Sequence, residues 1–418
     1  MSSTKPTADR PPDPQIASIR DQAAGQMDDA VSLRRTLHEW PEIGNELPIT
    51  RETVAGALDD LPLAITLHET TSGIAALLEG DAPGPTMLLR GDMDALELHE
   101  DTGLEFSSRV DEAMHACGHD THTAMLVGAA RVLAERRGEI AGRVLFMFQP
   151  GEEGHHGARF MLDEGLLDVP PMSDGSESTV ESAFALHITS ALPAGWIGTR
   201  GGPVMASADR VQIRITGKGG HASEPFRAVD PIPVACEIVT ALQAMVTRSI
   251  DVFDPSVVTI GRIVAGTTNN VIPETAEIDG TIRAVSERTR AKVHDGIKRV
   301  AENIAAAHGC DGDVEIIYGY PVTTNDDQFA EWTLDLADEV AGAPHVVRLP
   351  HPVMGAEDFS YVLNELPGSM SFLGGTPLDR DLAKAAPNHS NRVYFDEGAM
   401  ETGISLYAAA ALRRLAPS

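Results

Sequence analysis

The sequence predicts an α/β protein in which one domain, built on a central sheet, is interrupted by a second and smaller one. Three observations predict it: short apolar runs that each end in acidic or histidine residues, helical stretches between those runs, and a switch near residue 204 to a β-α-β-β-α-β order. At 418 residues the chain has room for two or three domains of roughly 150 residues each. The boundaries read as a disordered tail over residues 1–20, a first segment over 21–203, an insert over 204–319 and a returning segment over 320–418.

The tail is polar, carries several prolines and lacks the apolar stretch of a signal peptide. Residues 24–40 read as an amphipathic helix, with Met27, Val31 and Leu37 on one side, and residues 41–46 break it. The runs 86–89, 144–148 and 183–186 read as buried strands, and 120–135 between the first two as a helix with Asp120 as its N-cap. In sheets of this kind ligands sit at the carboxyl ends of strands, where the acidic and histidine residues fall. In the insert, 210–216, 256–264, 274–285 and 313–318 read as strands, and 230–248 and 287–308 as helices, which is the order of a split-βαβ sandwich. Two more helices follow, over 325–340 and 397–415.

Composition excludes several classes of function. The 32 Lys and Arg stand against 62 Asp and Glu, a net charge of −30, whereas nucleic acid needs clustered cations. No stretch reaches the ~18 continuous apolar residues of a membrane span. Cys117, Cys236 and Cys310 are too few, and odd in number, for a disulfide framework, so a reducing cytoplasm is expected. With only five lysines, the acidic surplus reads as a surface suited to a salty cytoplasm, where screening relieves self-repulsion.

Residues 114–122, Met-His-Ala-Cys-Gly-His-Asp-Thr-His, form the densest chemical cluster. Cys117 and His119, two apart on a loop entering a helix, can face one metal ion, with Gly118 permitting the tight backbone. The helix N-terminus would favour a Cys117 thiolate. The plainer alternative is a buried cysteine among helix-capping histidines. Glu152-Glu153 follows a strand and a Pro-Gly turn. Adjacent carboxylates there would diverge, one toward a metal and one toward an attacking water as general base, unless the pair is merely a solvated acidic turn. His187 ends an apolar run and His389 lies in a Pro-Asn-His-Ser-Asn stretch; either alone fits a core or loop histidine. Together with Cys117, His119 and Glu153 they make five donors suited to two divalent ions sharing a bridging ligand, with Zn²⁺, Mn²⁺, Co²⁺ and Ni²⁺ all compatible. His155 and His156 read as exposed loop residues, and His38 as a structural residue of its helix.

Seven motifs occur in one order: Leu37-His38-Glu39-Trp40-Pro41-Glu42-Ile43-Gly44, Asp92-Met93-Asp94-Ala95-Leu96, His115 through Asp120, Gln149-Pro150-Gly151-Glu152-Glu153, Gly217-Lys218-Gly219-Gly220-His221-Ala222, Asn270-Val271-Ile272-Pro273 and Gly355-Ala356-Glu357-Asp358-Phe359. In this the chain resembles the amidohydrolase branch of the dinuclear metallopeptidases, which includes aminoacylases, hippurate hydrolases, N-acetyl-diaminopimelate deacetylases and auxin-conjugate hydrolases. The resemblance runs from about Leu33 to Leu412. It implies a zinc-peptidase-like catalytic domain with a mixed sheet flanked by helices, and a ferredoxin-like lid domain through which two copies pair. It also implies Cys117 as a bridging thiolate, His119, Glu153, His187 and His389 as the other metal ligands, and Glu152 as general base. His221 matches the histidine given to the partner subunit's oxyanion, and Asn270 and Arg283 match residues that recognise a substrate carboxylate. The sequence departs locally, at Pro387-Asn388 before His389 and at residues 223–226 after His221.

The implied reaction is hydrolysis of N-acyl-L-amino acids, small anions approaching a protein of net charge −30. An Arg283 clamp would offset that repulsion, its planar fork matching a carboxylate. Asp92 and Asp94 either orient ligands or cap a loop. Glu357 is expected to shape the pocket floor. A carboxypeptidase or dipeptidase on the same metals is the rival within enzymes. A non-catalytic amino-acid or metal-binding protein is the rival outside them, and it would be expected to lack a ligand or the base.

Overall fold

The computed structural model describes residues 13–417, which divide into two compact units. One comprises the chain up to Gly202 together with Asn325–Pro350 and the residues from Val362 onward; the other comprises Pro203–Thr324 and His351–Tyr361. Residues 351–361, expected in the first domain, therefore belong with the insert. The reason is backbone pairing: the Ala206 N–H donates to the carbonyls of Val353 and Gly355, and the Thr323 hydroxyl to that of Glu357. Glu357 is carried into the second unit by this return, buried, with its own carboxylate accepting from the Phe359 N–H.

The chain is ordered earlier than its composition suggests. Residues 1–12 of the expected tail lie outside the described residues, but helix α1 already spans Pro14–Gly25. Asp13 caps it by accepting from the Gln15 N–H, Pro14 supplies a pre-set φ at its start, and Ile16, Ile19 and Ala23 are buried. Helix α2, Met27–Glu39, begins three residues after the start expected from the amphipathic pattern, because α1 runs on to Gly25.

An eight-stranded mixed sheet organises the first unit. Its strands are β1 Leu63–Leu67, β2 Ile74–Glu79, β3 Ala82–Asp92, β4 Ala141–Gln149, β5 Val180–Pro193, β6 Ile197–Thr199, β7 Val346–Arg348 and β8 Gly368–Thr376. Their order is β1-β2-β4-β3-β5-β8-β6-β7. The four central strands β4, β3, β5 and β8 run parallel, and the antiparallel pairings lie to either side. Parallel strands buried on both faces need continuous apolar runs, as in the stretch from Gly142 to Gln149, all of it buried. The helices covering the sheet include α3 His119–Glu135, α4 Asp327–Ala341 and α5 Ala399–Arg414. Helix α3 is buried along nearly its whole length, so it reads as hydrophobic all round.

The second unit has the predicted ferredoxin-like sandwich. Asp209–Thr216, Ser256–Ala265, Thr275–Ala284 and Asp311–Tyr318 form one antiparallel sheet, with the first strand in chain order lying between the third and the fourth. Alternation decides its faces: Val211, Ile213 and Ile215 point into a core with Val234, Ile238 and Leu242 of helix Pro231–Ser249 and Val293 and Ile297 of helix Glu287–Ala307. Among the described residues no helix is long and apolar enough to cross a membrane.

A buried ion cluster ties the start of the first of these strands to the end of the last. Asp209 accepts both arms of the Arg290 guanidinium at 2.8 and 2.6 Å, His294 Nε2 at 2.8 Å and the Gly319 N–H at 3.0 Å. Burial opposes its charge, but the Arg290 and His294 bonds outweigh that and hold its pKa at about 2. Because the folded-state value is depressed, this stabilisation is complete above about pH 4 and is lost as pH falls through about 2. Asp209→Asn is expected to cost about 2 kcal/mol at pH 7. The urea midpoint of the variant should also fall less than the wild type's between pH 4 and pH 2, by the share that Asp209 carries alongside other depressed carboxylates such as Glu100 and Glu164. Equal midpoints at pH 7 would count against this account of the cluster.

Candidate metal centre

The site of the first unit is built where β3, β4 and β5 end. Beyond Asp92 the chain passes through Asp94, and beyond Gln149 through a turn that carries Glu152 and Glu153. Asp94 sets that turn, accepting the Glu152 N–H at 2.9 Å and the Glu153 N–H at 3.0 Å on its two oxygens, and it lies 3.3 Å from His119 Nδ1. Both readings offered for Asp94 are therefore met at once: it caps a turn and it faces a ligand candidate. The two glutamates do not diverge as a strand would dictate. They sit in a turn, and Glu152 Oε2 and Glu153 Oε1 lie 4.0 and 3.9 Å from the same His119 Nε2.

Gly118 shapes the loop ahead of α3. It holds φ at +89°, and a Cβ there would lie 2.3 Å from Ile188 Cγ2, so both backbone and space demand glycine. The helix starts at His119 with Gly118 at the cap position, so Asp120 is not the N-cap that its residue type suggests. Its carboxylate turns away to accept from Arg34 Nε at 3.0 Å and His38 Nδ1 at 2.9 Å, all three groups buried. Burial alone would lower the His38 pKa, but the Asp120 and Glu100 carboxylates raise it to about 9. His38 is thus a charged strut beneath the loop, in line with its structural reading.

The five expected donors come together. Cys117 Sγ lies 3.4 Å from His187 Nε2 and 3.2 Å from His389 Nε2, and Glu153 Oε1 lies 3.2 Å from His389 Nε2. Cys117, His119 and His187 form one group whose donor atoms all lie within 4.8 Å of each other, and Cys117, Glu153 and His389 form another. Cys117 is common to both. His187 Nδ1 donates to the Ile188 carbonyl at 2.7 Å, which leaves Nε2 as its donor toward the cluster. His119 is fully buried and neither ring nitrogen meets hydrogen-bond geometry, its nearest partners being the carboxylates of Asp94 at 3.3 Å and Asp92 at 3.4 Å. Such a group costs about 1–3 kcal/mol unless something satisfies it, and a divalent cation fits a donor set of one sulfur, three imidazoles and a carboxylate.

Burial, then the neighbouring Glu153 charge, push the Cys117 thiol up, against the expectation of an anion favoured by the helix N-terminus. The thiol is therefore protonated in the absence of a cation, and a bound metal ion would be needed to stabilise its thiolate. Hydrogen bonds to Cys117 and Glu153 raise His389 to about 10. Burial would hold His119 neutral, yet Asp92 and Cys117 keep its pKa well above the ordinary value.

Asn388 was not singled out in the sequence, where it counted only as a departure. Its Oδ1 accepts from the Ser190 N–H at 3.0 Å, and its Nδ2 donates to the carbonyls of Ile188 at 3.0 Å and Cys117 at 3.3 Å. It thereby stitches the loop of His389, itself at φ +67°, to β5 and to the Cys117 loop. A short amide next to a candidate ligand was the available signal. His155 and His156 belong to none of the donor groups among the described residues.

His221, Asn270 and Arg283 all lie in the second unit. A two-stranded ribbon brings the first two together: His221 pairs with Val271, and the Ala222 N–H donates to the Asn270 carbonyl. His221 is exposed, and its Nδ1 accepts from the Ser223 N–H at 3.1 Å, so the neutral ring carries its proton on Nε2. Arg283 stands on the four-stranded sheet of the second unit, paired with Val257, and burial lowers its pKa.

A mixed sheet ending in a sulfur, imidazole and carboxylate cluster defines a metallohydrolase class, and similarity to known proteins gives the family. The model of Peptidase family M20/M25/M40 matches residues 88–413. The chain belongs to that family, whose members hydrolyse amide bonds. It is 36% identical to thermostable carboxypeptidase 1 of Saccharolobus solfataricus over 92% of this chain and 94% of that one. It is 38% identical to N-acetylcysteine deacetylase of Bacillus subtilis over 82% and 87% of the two chains. Among solved structures it superposes with a TM-score of 0.80 on the Bacillus subtilis YXEP protein, described as a dinuclear metal binding peptidase. The identity there is 32%, covering 94% of this chain and 99% of that one.

Gly118→Ala tests the loop. It should destabilise the protein by at least about 1–3 kcal/mol through strain and overlap with Ile188. Zn²⁺ affinity, measured by competition with a chromogenic chelator, should fall as well. An alanine variant with wild-type melting temperature and affinity would contradict the geometry.

Proposed function

We propose that this protein is a metal-dependent amidohydrolase that cleaves N-acyl-L-amino acids to a carboxylate and an amino acid. One observation carries the reading: the buried Cys117, His119 and His187 form one donor group, Cys117 with Glu153 and the exposed His389 forms another, and buried Glu152 lies beside them, in a chain of this family. These five would hold two divalent ions, of Zn²⁺, Mn²⁺, Co²⁺ or Ni²⁺, with Cys117 shared. When bound, the ions supply Lewis-acid activation of the attacking water and of the amide carbonyl. Glu152, held in the Asp94-capped turn, takes the proton of that water and returns it to the leaving amine. Its burial supports this role, because a carboxylate shielded from bulk solvent keeps the proton for the amine. The Nε2–H of His221 would donate to the oxyanion, given across a homodimer formed through the second unit. Asn270 and Arg283 would hold the substrate carboxylate.

Glu152→Ala should keep two equivalents of metal and lose at least about a hundredfold in kcat. Treatment with a chelator should abolish activity, and added Zn²⁺ or Mn²⁺ should restore it. Wild-type turnover in Glu152→Ala would sink the mechanism. Arg283→Ala should raise KM for acetyl and benzoyl amino acids by about ten- to a hundredfold while changing kcat little, since it acts on the carboxylate and not on the reacting bond. The similarity to a carboxypeptidase favours one second reading, cleavage of peptides on the same metals. Comparing hippurate with a dipeptide as substrate separates the two.

A further inference from the structure

His122 forms with Asp92 and His119 a further group of possible donors whose atoms lie within 4.8 Å of one another. Its hydrogen bonds exclude it as a ligand. The Ile188 N–H, a group that can only donate, points at His122 Nε2 over 2.6 Å, so Nε2 is an acceptor and the ring is neutral. The proton then lies on Nδ1, which donates to Asp92 Oδ1 at 2.5 Å. No lone pair remains for a metal. His119, one turn earlier on the same helix, has neither nitrogen in hydrogen-bond geometry.

The place of the ring explains its use. β3 and β5 pair in register as far as Arg90 and Ala185 and then separate, while β3 continues beside β4 as far as Asp92 and Gln149. The separation would leave the N–H of Ile188, next to His187, unpaired in the interior. His122 fills the gap, with Asp92 of β3 on one side and Ile188 of β5 on the other. Its ring lies 4.8 Å from that of His187 and 5.4 Å from that of His119. Asp92 is fixed in turn by Arg90 at 2.6 Å, and its Oδ2 stands 3.4 Å from His119 Nε2. Gly91 lets α3 approach closely, since a Cβ there would lie 3.0 Å from the His122 carbonyl.

We propose that His122 is a positioning residue: a neutral imidazole bridge between the separated ends of β3 and β5 that sets the distance between His119 and His187 without binding metal. The inference rests on the metal-site reading above. Two variants each remove one bond and keep the other. His122→Asn retains a donor for Asp92, and His122→Gln retains an acceptor for the Ile188 N–H. With Zn²⁺ as probe, both should still bind the wild-type number of equivalents, with affinity lowered about ten- to a hundredfold. KM for an acetyl amino acid should stay within about twofold while kcat falls, because the metal geometry changes and the substrate contacts do not. In wild type, the imidazole ¹⁵N shifts of His122 should report the Nδ1–H tautomer without metal and stay unchanged on adding Zn²⁺. Loss of one equivalent in either variant, or a metal-dependent shift at Nε2, would make His122 a ligand and overturn the proposal. So would two variants that only melt earlier, with unaltered affinity and kcat, since that is a purely structural role. A wild type that takes up no Zn²⁺ at all would instead remove the metal-site reading, and the positioning role with it.

Discussion

The site depends on one geometric event, the parting of β3 from β5 after Arg90 and Ala185. Parallel strands that stay paired close their ends with backbone hydrogen bonds and leave no room for side chains. Here the separation frees backbone groups that must be satisfied out of water. Two helices supply the partners. Tyr407 of α5 accepts from the Leu186 N–H at 2.9 Å and donates to the Arg90 carbonyl at 2.6 Å, and His122 of α3 takes the next free N–H at Ile188. Polar side chains therefore stand where a closed sheet would have apolar contact. The ligand candidates occupy the opening they hold.

Around that opening carboxylates act as anchors more than as reactants. Asp94 fixes a turn, Asp92 a histidine and Asp120 a loop, each against named donors. Burying three charges would be costly without such partners, and each has cations or N–H groups in contact. The arrangement resolves the doubt over Asp92 and Asp94, since each both fixes backbone or ring and faces His119. Their burial also separates them from the acidic excess of the whole chain, which is a property of other residues.

Much of this was legible in the sequence. The strands leading to Asp92, Glu152 and His187 announce themselves as apolar runs, and the order of the insert fixes its sandwich. The ligand candidates could be named because cysteine, histidine and glutamate at strand ends have few other uses together. The pairing of residues 351–361 with the insert was not legible, because a short return stretch carries no periodicity and its bonds are from backbone to backbone. The helix at Pro14 was hidden by three prolines and a polar composition, although Asp13-Pro14 is itself a start signal.

The tasks of His119 and His122 were illegible for a different reason. Both are buried histidines in one nine-residue motif, and residue type does not distinguish a ring with uncommitted nitrogens from one whose nitrogens are both engaged. What separates them is which neighbouring backbone N–H lacks a partner, and that follows from how two strands diverge, not from the motif. Asn388 follows the same logic, since its amide is needed only because the carbonyls of Cys117 and Ile188 face one loop. In a site built on diverging strands, the residues that complete the backbone are set by topology, and the residues that bind are set by chemistry. Only the second kind can be read from composition and spacing.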